Sequence, residues 1–487
     1  MPRHLPAGVA FLLLSFTTAG TQIQSGPKSV AADLDSLLQE YHSLEQFNGS
    51  ALVARDGQVI LAKGYGMANL EWAIPNTPDA RFRIGSLTKQ FTAMLVIQLE
   101  EEGKLSVDDK LSDRLPYYRK DTGGKVTIRQ LLYHTSGVPN YTDNSEILAR
   151  SRLPMGLRDL ITTYCSGNLA FEPGSKFVYN NSGYVILGAI IEEATGKAYE
   201  QVLKERILER FGMASSGYDH SEALIPRRAA GYDRRLDGMR NADFVDMSLP
   251  HAAGALYSTV EDLHRWDQAL YETKLFSEEA RRKLFTPGAS GYACGWFVRE
   301  APVGPNRAVR KVLQNTGAIH GFTSLILRIP QDRVLIVLLS NVSRSDLVTI
   351  AQGIGDVLYG REPSMPKRSV ARALWPVLQS GKIDNAVDRY REIKAKERDA
   401  YNLSESELGQ LGRFLLELGR TAEAAAIFGL NAESFPNSSS AHASLGEAYA
   451  ARGEKELAER SYARALELNP SNASAAKLLQ KLNSEPK

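Results

Sequence analysis

The sequence predicts an α+β domain followed by an all-α domain, and two features of the 487-residue chain support this prediction. Strand-like segments lie at both ends of the first 360 residues, with mostly helical patterns between them, which is typical of α+β rather than alternating βαβ topology. From residue 368 onward the chain becomes rich in Ala, Glu, Leu and Arg and shows no strand pattern. We therefore expect an antiparallel sheet flanked by helices, an all-helical part beside it, and a separate helical C-terminal domain.

Six segments are predicted to be strands. Ser50–Arg55 and Gln58–Tyr65 are joined by Asp56-Gly57, a dipeptide that tolerates positive φ at both turn positions and therefore predicts a hairpin. The other strands are predicted downstream, at Gly295–Arg299, Arg307–Gln314, Phe322–Ile329 and Arg333–Ser340. Apolar residues at helical spacing predict helices at Ala31–Gln46, Ser86–Glu102 and Tyr184–Glu193.

Composition excludes several classes of protein. Hydrophobic residues make up 43% and charged residues 23%, which is close to the globular average and argues against a disordered, collagen-like or coiled-coil chain. Lys and Arg number 58 and Asp and Glu 56, so no basic excess indicates a nucleic-acid partner. The two cysteines, Cys165 and Cys294, are too far apart for a C-x-x-C motif. No apolar run reaches the roughly 20 residues that span a bilayer.

Residues 1–20 have the layout of a secretory signal peptide. A positively charged start is followed by an apolar block at Val9–Phe16 and by small residues up to Gly20, where we expect cleavage. A buried N-terminal helix is the alternative. Export would place the mature chain in the periplasm or outside the cell, where a Cys165–Cys294 disulfide is allowed. Because Cys294 lies in an apolar run, however, we expect a buried free thiol.

The C-terminal part repeats with a period of 34 residues. The matching pairs are Leu411 and Leu445, Gly412 and Gly446, Gly419 and Gly453, Phe428 and Tyr462, and Pro436 and Pro470. This period, with small residues, an aromatic and a closing proline, is the tetratricopeptide signature. We predict a tetratricopeptide-like domain over residues 368–487, with a degraded first repeat beginning near Leu374 and a concave face for a protein or peptide partner. An irregular helical bundle is the alternative.

Ser86 and Lys89 are the first candidate catalytic pair. They are three residues apart at the start of a helix and therefore share one face. A serine attacks a carbonyl well only if another group takes its proton, and burial can lower the pKa of a lysine from about 10.4 towards neutrality. The apolar helix that follows predicts such burial. The pattern alone is weak, because an N-capping serine with a surface lysine produces it too.

Two further segments supply polar groups. Tyr179 and Asn181 lie on a turn before a helix, where a phenol can relay protons and an amide can orient both a lysine and a substrate carbonyl. Taken alone, Tyr179 could equally be a core aromatic. Asn315-Thr-Gly317 lies at the end of a predicted strand, and small residues on a strand edge let a substrate pair with the backbone.

These segments occur in the order of the S-x-x-K, Y-x-N and K-T-G boxes, and the chain resembles serine β-lactamases and penicillin-binding proteins. Flanking segments narrow the resemblance to the branch of class C β-lactamases, D-alanyl-D-alanine carboxypeptidases and serine esterases: Leu131–Gly137, Phe171–Gly174 and Gly254–Trp266. The resemblance implies the β-lactamase/DD-peptidase fold over residues 31–362. It also implies a serine hydrolase that acts on an ester or amide through an acyl-enzyme.

The resemblance also implies a role for each residue. Ser86 would be the nucleophile, and Lys89 either its general base or the group that activates Tyr179. Tyr179 would protonate the leaving group and then activate the deacylating water, while Asn181 would hold the substrate and Lys89. The backbone N–H groups of Ser86 and Ala318 would form the oxyanion hole, where losing one donor typically costs about 2.7–4 kcal/mol.

The third box departs from the family pattern at its first position, where Asn315 replaces a lysine or, in the esterase branch, a histidine. The change removes a positive charge that would bind a substrate carboxylate, and a hydrogen bond to a charged group contributes roughly 1.5–3 kcal/mol. We therefore expect weak or no β-lactamase activity and a preference for esters or uncharged amides. We expect His320 to be an exposed loop histidine and His134 to order a loop near the site.

A second class of function stays open. In this alternative the hydrolase-like domain only binds a ligand, such as cell-wall peptide, while the repeat domain recruits a partner. The presence of Ser86, Lys89 and Tyr179 favours the enzyme, because a site that only binds a ligand has no chemical need for all three. Asn315 and the repeats keep the binding protein in consideration. The sequence contains no H-E-x-x-H motif and no Walker loop, so we expect neither a metal nor a cofactor.

Overall fold

The computed structural model describes residues 29–272, 277–288, 290–304 and 306–484. The predicted signal peptide, residues 1–20, lies outside the described residues and stays a prediction. Within the described residues, no helix is both long and apolar enough to cross a membrane. Cys165 and Cys294 are both buried and free, so the expectation of a buried thiol at Cys294 is confirmed and the two do not form a disulfide.

A seven-stranded antiparallel sheet forms the centre of the described first part of the chain. In chain order its strands are β1 (Gly49–Arg55), β2 (Gln58–Tyr65), β3 (Tyr292–Ala293), β4 (Trp296–Val303), β5 (Ala308–Ile319), β6 (Phe322–Ile329) and β7 (Val334–Ser340). They are arranged in the order β3-β4-β5-β6-β7-β1-β2. The predicted antiparallel sheet, with strands from both ends of the domain, is confirmed.

Helices cover both faces of this sheet, which is why β7 is buried at every position. On one face α1 (Val30–Ser43) and α6 (Leu347–Leu358) pack against a cluster of aliphatic strand residues. The opposite face packs against the helical part. The longer helices of that part are α2 (Thr88–Glu101), α3 (Asn181–Thr195), α4 (Val260–Ala269) and α5 (Glu278–Phe285).

Shorter elements connect these helices. The short helical segments lie at Gly85–Leu87, Leu111–Arg114, Lys120–Gly123, Ile128–Leu132, Tyr141–Asp143, Ser145–Ala149, Leu157–Leu160, Ile161–Cys165, Tyr199–Leu203, Lys204–Leu208, His251–Gly254 and Pro330–Asp332. Short strands pair at Met67–Asn69 with Ile74–Pro75, at Phe82–Arg83 and Gly217–Tyr218 with Leu256–Ser258, at Tyr232–Arg235 with Gly238–Asn241, and at Arg368–Ser369 with Tyr401–Asn402.

Strand β5 extends further than the sequence predicted. The prediction ended it at Gln314, but residues 315–319 continue it by pairing with β6. Strand β4 pairs with β5 only as far as Gln314, whose partner is Phe297. From Asn315 onward, therefore, the edge of β5 on the β4 side is not covered by β4. The Gly85–Leu87 turn approaches β5 here, and an added Cβ on Gly317 would lie 3.0 Å from the Ser86 nitrogen.

As far as residue 484, the last that the structure describes, the C-terminal part is helical apart from the short pairing of Arg368–Ser369 with Tyr401–Asn402. Its helices are α7 (Val370–Ser380), α8 (Ile383–Lys396), α9 (Glu405–Glu417), α10 (Thr421–Ser434), α11 (Ser439–Ala451), α12 (Lys455–Leu468) and α13 (Ala473–Ser484). Gly412 lies against the Phe428 ring and Gly446 against the Tyr462 ring, so closely that a Cβ would overlap the aromatic carbons. The repeated glycine and aromatic positions therefore mark the contacts at which paired helices approach each other.

One hairpin of the first part reaches into the repeat region. We call residues Tyr232–Asn241 the docking hairpin. Its tip residue Leu236, which is 8% exposed, belongs to the same apolar cluster as Val370 and Leu374. Arg235 forms an ion pair with Glu417. The two parts of the chain are therefore joined by buried apolar surface as well as by charge.

Candidate active site

Ser86 lies in a tight turn that leads into α2. Gly85 precedes it with φ 51°, a left-handed conformation that favours glycine. A Cβ at Gly85 would lie 2.9 Å from the Ala318 nitrogen, so the turn and strand β5 approach each other closely. Ser324 fixes this approach, because its hydroxyl donates a 2.7 Å hydrogen bond to the Ile84 carbonyl. The turn thereby places Ser86 beside the uncovered edge of β5.

Lys89 is 0% exposed, and its amine is the centre of the site. The Nζ atom lies 3.0 Å from the Ser86 hydroxyl. It also lies 2.8 Å from the side-chain oxygen of Asn181 and 2.8 Å from the carbonyl oxygen of Ala253. Ser86 and Lys89 are therefore neighbours, with the serine in the turn before α2 and the lysine in its first turn, and the lysine is not the surface residue of the alternative interpretation.

Burial lowers the pKa of Lys89 below its usual range, and the nearby Tyr179 phenol acts in the opposite direction. The hydrogen-bond geometry is compatible with the neutral amine. The oxygens of Asn181 and Ala253 can only accept, so they take two N–H groups. A neutral amine then has its lone pair left for the third direction, which points to Ser86. The site can therefore hold an amine that receives the serine proton.

Tyr179 lies next to this amine, with its ring centroid 4.9 Å from Lys89 Nζ. His134 holds the segment on both sides of the tyrosine. Its carbonyl accepts a 3.0 Å hydrogen bond from the Val178 N–H, and its Nδ1 accepts one of 3.1 Å from the Asn180 N–H. The two rings also pack against each other at a tilt of 40°, with centroids 4.4 Å apart. The expectation that His134 orders a loop near the site agrees with this geometry.

The imidazole of His134 is buried, and burial, with the ammonium form of Lys89 acting in the same direction, holds its pKa well below the usual 6.5. It is therefore neutral at physiological pH. Because Nδ1 accepts the Asn180 N–H, the proton resides on Nε2. His134 fixes the position of Tyr179 and does not carry charge in the site.

The start of α3 positions Asn181. Asn180 caps this helix by accepting a 2.9 Å hydrogen bond from the Gly183 N–H. The Asn181 backbone N–H donates to Asn140 at 3.0 Å, and its side-chain amide donates to the Thr142 hydroxyl at 3.2 Å. These contacts turn the Asn181 carbonyl oxygen towards Lys89. The predicted role of Asn181 in holding Lys89 agrees with this arrangement.

The third box lies against the serine turn. Asn315 is buried, and its amide donates a 3.2 Å hydrogen bond to the Ser86 carbonyl oxygen. Gly317 is the position where any side chain would overlap the Ile84 carbonyl oxygen. Ala318 is exposed on the uncovered part of β5, next to Gly85. By contrast, His320 is exposed as expected and contacts the Asp243 carbonyl at 3.1 Å.

Sequence reasoning missed several groups that hold the site. The Ala253 carbonyl is the third partner of Lys89, and the side chains of Asn140 and Thr142 fix Asn181. Ala253 lies just before Gly254–Trp266, a segment that indicated only a family resemblance. A main-chain carbonyl can belong to any residue type, so the sequence could not predict this acceptor. Within the described residues, no group of His, Cys, Asp and Glu side chains is suited to hold a metal ion.

Comparison with known proteins identifies the family of the chain. The family model described as Beta-lactamase matches residues 34–358 of the chain. The chain belongs to the beta-lactamase family. A tetratricopeptide repeat model matches residues 439–472, within the helical C-terminal part of this beta-lactamase family member.

Individual relatives fit the same assignment. PbpX of Bacillus subtilis (strain 168), provisionally named a penicillin-binding protein, is 30% identical over 316 residues, which cover 64% of this chain and 75% of PbpX. A penicillin-binding protein structure from Bacillus halodurans is 29% identical with a TM-score of 0.56, covering 66% of this chain and 98% of that one. A D-stereospecific amidohydrolase from Streptomyces sp., 23% identical with a TM-score of 0.55, covers 67% and 98% and shares the fold.

Proposed function

We propose that this protein is a serine hydrolase that cleaves esters or uncharged amides through an acyl-enzyme. The observation that supports this most is the 3.0 Å contact between the Ser86 hydroxyl and a fully buried Lys89 amine. A D-stereospecific amidohydrolase from Streptomyces sp. shares the fold, which is consistent with this chemistry. The predicted roles of the site residues are part of the proposal.

In acylation, Ser86 Oγ attacks the substrate carbonyl carbon as its proton passes to Lys89 Nζ. The carbonyl oxygen becomes an oxyanion, which the N–H groups of Ser86 and Ala318 would stabilise. The tetrahedral intermediate then collapses, the bond to the leaving alcohol or amine breaks, and the leaving group takes a proton from Tyr179. The tyrosine then recovers a proton from the Lys89 ammonium. The two groups are neighbours, because Lys89 Nζ lies 4.9 Å from the centre of the Tyr179 ring.

Deacylation repeats these steps with water as the nucleophile. As the water attacks the acyl carbon, the Tyr179 phenol passes its own proton to Lys89 Nζ and its oxygen takes a proton from the water. The bond to Ser86 Oγ then breaks, and the serine oxygen takes its proton from the Lys89 ammonium. Asn181 keeps the amine in place throughout, because its carbonyl oxygen is held towards Nζ.

The substrate class follows from Asn315. Its side chain is neutral, buried and directed at the Ser86 carbonyl, so it supplies no charge to a substrate carboxylate. Penicillins and D-Ala-D-Ala peptides carry such a carboxylate. Without a cationic side chain at this position, a substrate carboxylate gains no charged hydrogen bond here, so carboxylate-bearing substrates have no binding advantage over neutral esters or amides. We propose neutral substrates for this reason.

The test is a stopped-flow assay with p-nitrophenyl acetate. We expect a burst of p-nitrophenol equal to the enzyme concentration, followed by slower turnover, because acylation precedes deacylation. Ser86→Ala should abolish the burst, whereas Ser406→Ala, an exposed serine on α9, should retain it. A fluorophosphonate probe should label the wild-type protein on Ser86. A wild-type protein with no burst and no label would instead support the ligand-binding alternative.

A further inference from the structure

Apolar side chains form an exposed wall beside Tyr179. Val178 is 43% exposed and Phe297 40% exposed, although both are hydrophobic. The half-buried ring of Phe177 lies beside Phe297, with their centroids 6.5 Å apart. We call Phe177, Val178 and Phe297 the apolar wall. Single exposed hydrophobic residues are ordinary, but adjacent ones next to a candidate catalytic group are a feature of binding sites.

Rigid aromatic packing connects this wall to the catalytic groups. The Phe177 and Phe297 rings pack against the buried Tyr292, at 5.7 Å and 5.0 Å between centroids. Tyr292 in turn contacts His134 at 4.6 Å and Tyr179 at 6.3 Å. The wall is therefore held at a fixed position relative to the phenol, and it does not need to be ordered when a ligand binds.

The strand register places Phe297 at the mouth of the site. It pairs with Gln314, the last residue of β5 that β4 covers. The uncovered part of β5 begins at the next residue and runs past Gly317 to Ala318. A substrate that lies along this part of β5, with its carbonyl at Ser86, therefore has Phe297 at the end where the uncovered edge begins.

We infer that the apolar wall is the subsite for an aromatic or bulky apolar group of the substrate, positioned a few atoms from the scissile carbonyl. This inference rests on the proposed function and specifies its substrate class. An aromatic ring suits the wall because ring edges and faces pack favourably against Phe and Tyr. No member of the wall is charged, so a charged group there would lose water without gaining a partner.

The test compares two esters of similar intrinsic reactivity, p-nitrophenyl 3-phenylpropionate and p-nitrophenyl propionate. We expect wild-type kcat/KM to be about 10-fold or more higher for the phenyl compound, as apolar pockets typically discriminate. In Phe297→Ala this ratio should fall towards 1, and Phe297→Leu should give an intermediate ratio because it keeps part of the apolar area. Leu418→Ala, at a 45%-exposed leucine of the repeat region, should keep the wild-type ratio.

Each result decides the question. Ser86-dependent hydrolysis without a preference for the phenyl ester, or with a preference that survives in Phe297→Ala, would overturn the subsite and leave the proposed function intact. An absence of Ser86-dependent hydrolysis of both esters would overturn the proposed function and the subsite together. Val178→Thr provides a second test, because it replaces a methyl group by a hydroxyl at almost constant volume. This variant should also lower the ratio of the two kcat/KM values.

Discussion

The environment of Lys89 explains how a lysine can act as a base in this fold. Its amine is surrounded by a buried helix, two aromatic rings and two oxygens that only accept hydrogen bonds. Removing water from the ammonium form raises its free energy more than that of the neutral form, and this lowers the pKa. The same residue on an exposed helix would be protonated and unable to take the proton of Ser86.

The pH dependence of acylation should follow from this lowered pKa. Only the neutral amine accepts the serine proton, and its fraction increases with pH, so kcat/KM for a neutral ester should rise with pH and reach its plateau below pH 10.4. His134 should not contribute to this limb, because its pKa lies well below 6.5. A steady-state pH profile measures the limb.

Two lysine variants test whether Lys89 is the group whose deprotonation causes this rise of kcat/KM with pH. Lys89→Arg should lower kcat/KM by about 10²–10⁴-fold across the pH range, because a guanidinium is not deprotonated in proteins. Lys394→Arg, which changes an exposed lysine on α8, should leave the profile unchanged. A Lys89→Arg protein that kept the wild-type limb would show that another group is the base.

Among the elements, strand β5 and the serine turn determine the shape of the site. Gly317 and Gly85 permit the two backbones to approach to a distance that no side chain allows. The uncovered edge of β5 exists because β4 stops pairing at Gln314. The position of the candidate oxyanion hole thus depends on where one strand ends and on two residues without side chains.

Gly317→Ala tests this dependence. The added methyl group would overlap the Ile84 carbonyl oxygen, a backbone atom that cannot rotate away, so strand and turn must move apart. Because a displacement of about 1 Å can cost 10²-fold in rate, we expect kcat/KM to fall by about that factor, and stability by about 1–3 kcal/mol. Ester hydrolysis and urea unfolding measure the two effects.

The matched control is Gly429→Ala, in the middle of α10, where an added Cβ has open space. Alanine is the better helix former, so this change should stabilise the repeat region by about 0.5–1 kcal/mol and leave hydrolysis unchanged. Equal activity of the two variants would show that the close approach of β5 and the serine turn is not needed for catalysis.

Local sequence was sufficient to predict the catalytic pair and several strands, and the features that it missed have physical reasons. The Ser86–Lys89 pair depends only on helical spacing, and the strands at Gln58–Tyr65 and Phe322–Ile329 coincide with the predicted ones because their patterns are unbroken. The extension of β5 through Gly317 was missed, because small residues carry no strand signal and only pairing with β6 makes them a strand. The Ala253 acceptor was missed because it is a main-chain atom.

At the scale of the whole molecule, the docking hairpin joins the hydrolase part to the repeats. Its base lies close to the candidate site, since Gly231, just before it, contacts the Gly321 turn that follows β5. Its tip contributes Leu236 to the apolar cluster of the repeat region, and Arg372 donates a 3.1 Å hydrogen bond to the Arg235 carbonyl. Nothing in the arginine-rich local sequence indicated this contact, because the partners of Leu236 are more than 130 residues away in the chain.

Leu236→Ala should weaken the union of the two parts. Truncating a buried leucine typically costs about 2–5 kcal/mol, so the repeat region should unfold at a lower temperature than in the wild-type protein. Leu224→Ala, at a leucine that is 99% exposed, is the matched control and should leave the transition unchanged. Differential scanning calorimetry measures both, and an unaltered transition in Leu236→Ala would contradict the role of the hairpin.

The insertion of this one leucine also has an evolutionary consequence. A homologue that lost the repeat region would expose the apolar side chain of Leu236 to water at the tip of the arginine-rich hairpin, where it would promote self-association. Selection should then replace that side chain by a polar one, so homologues without repeats are expected to carry a hydrophilic residue at the position of Leu236, and homologues with repeats an aliphatic one.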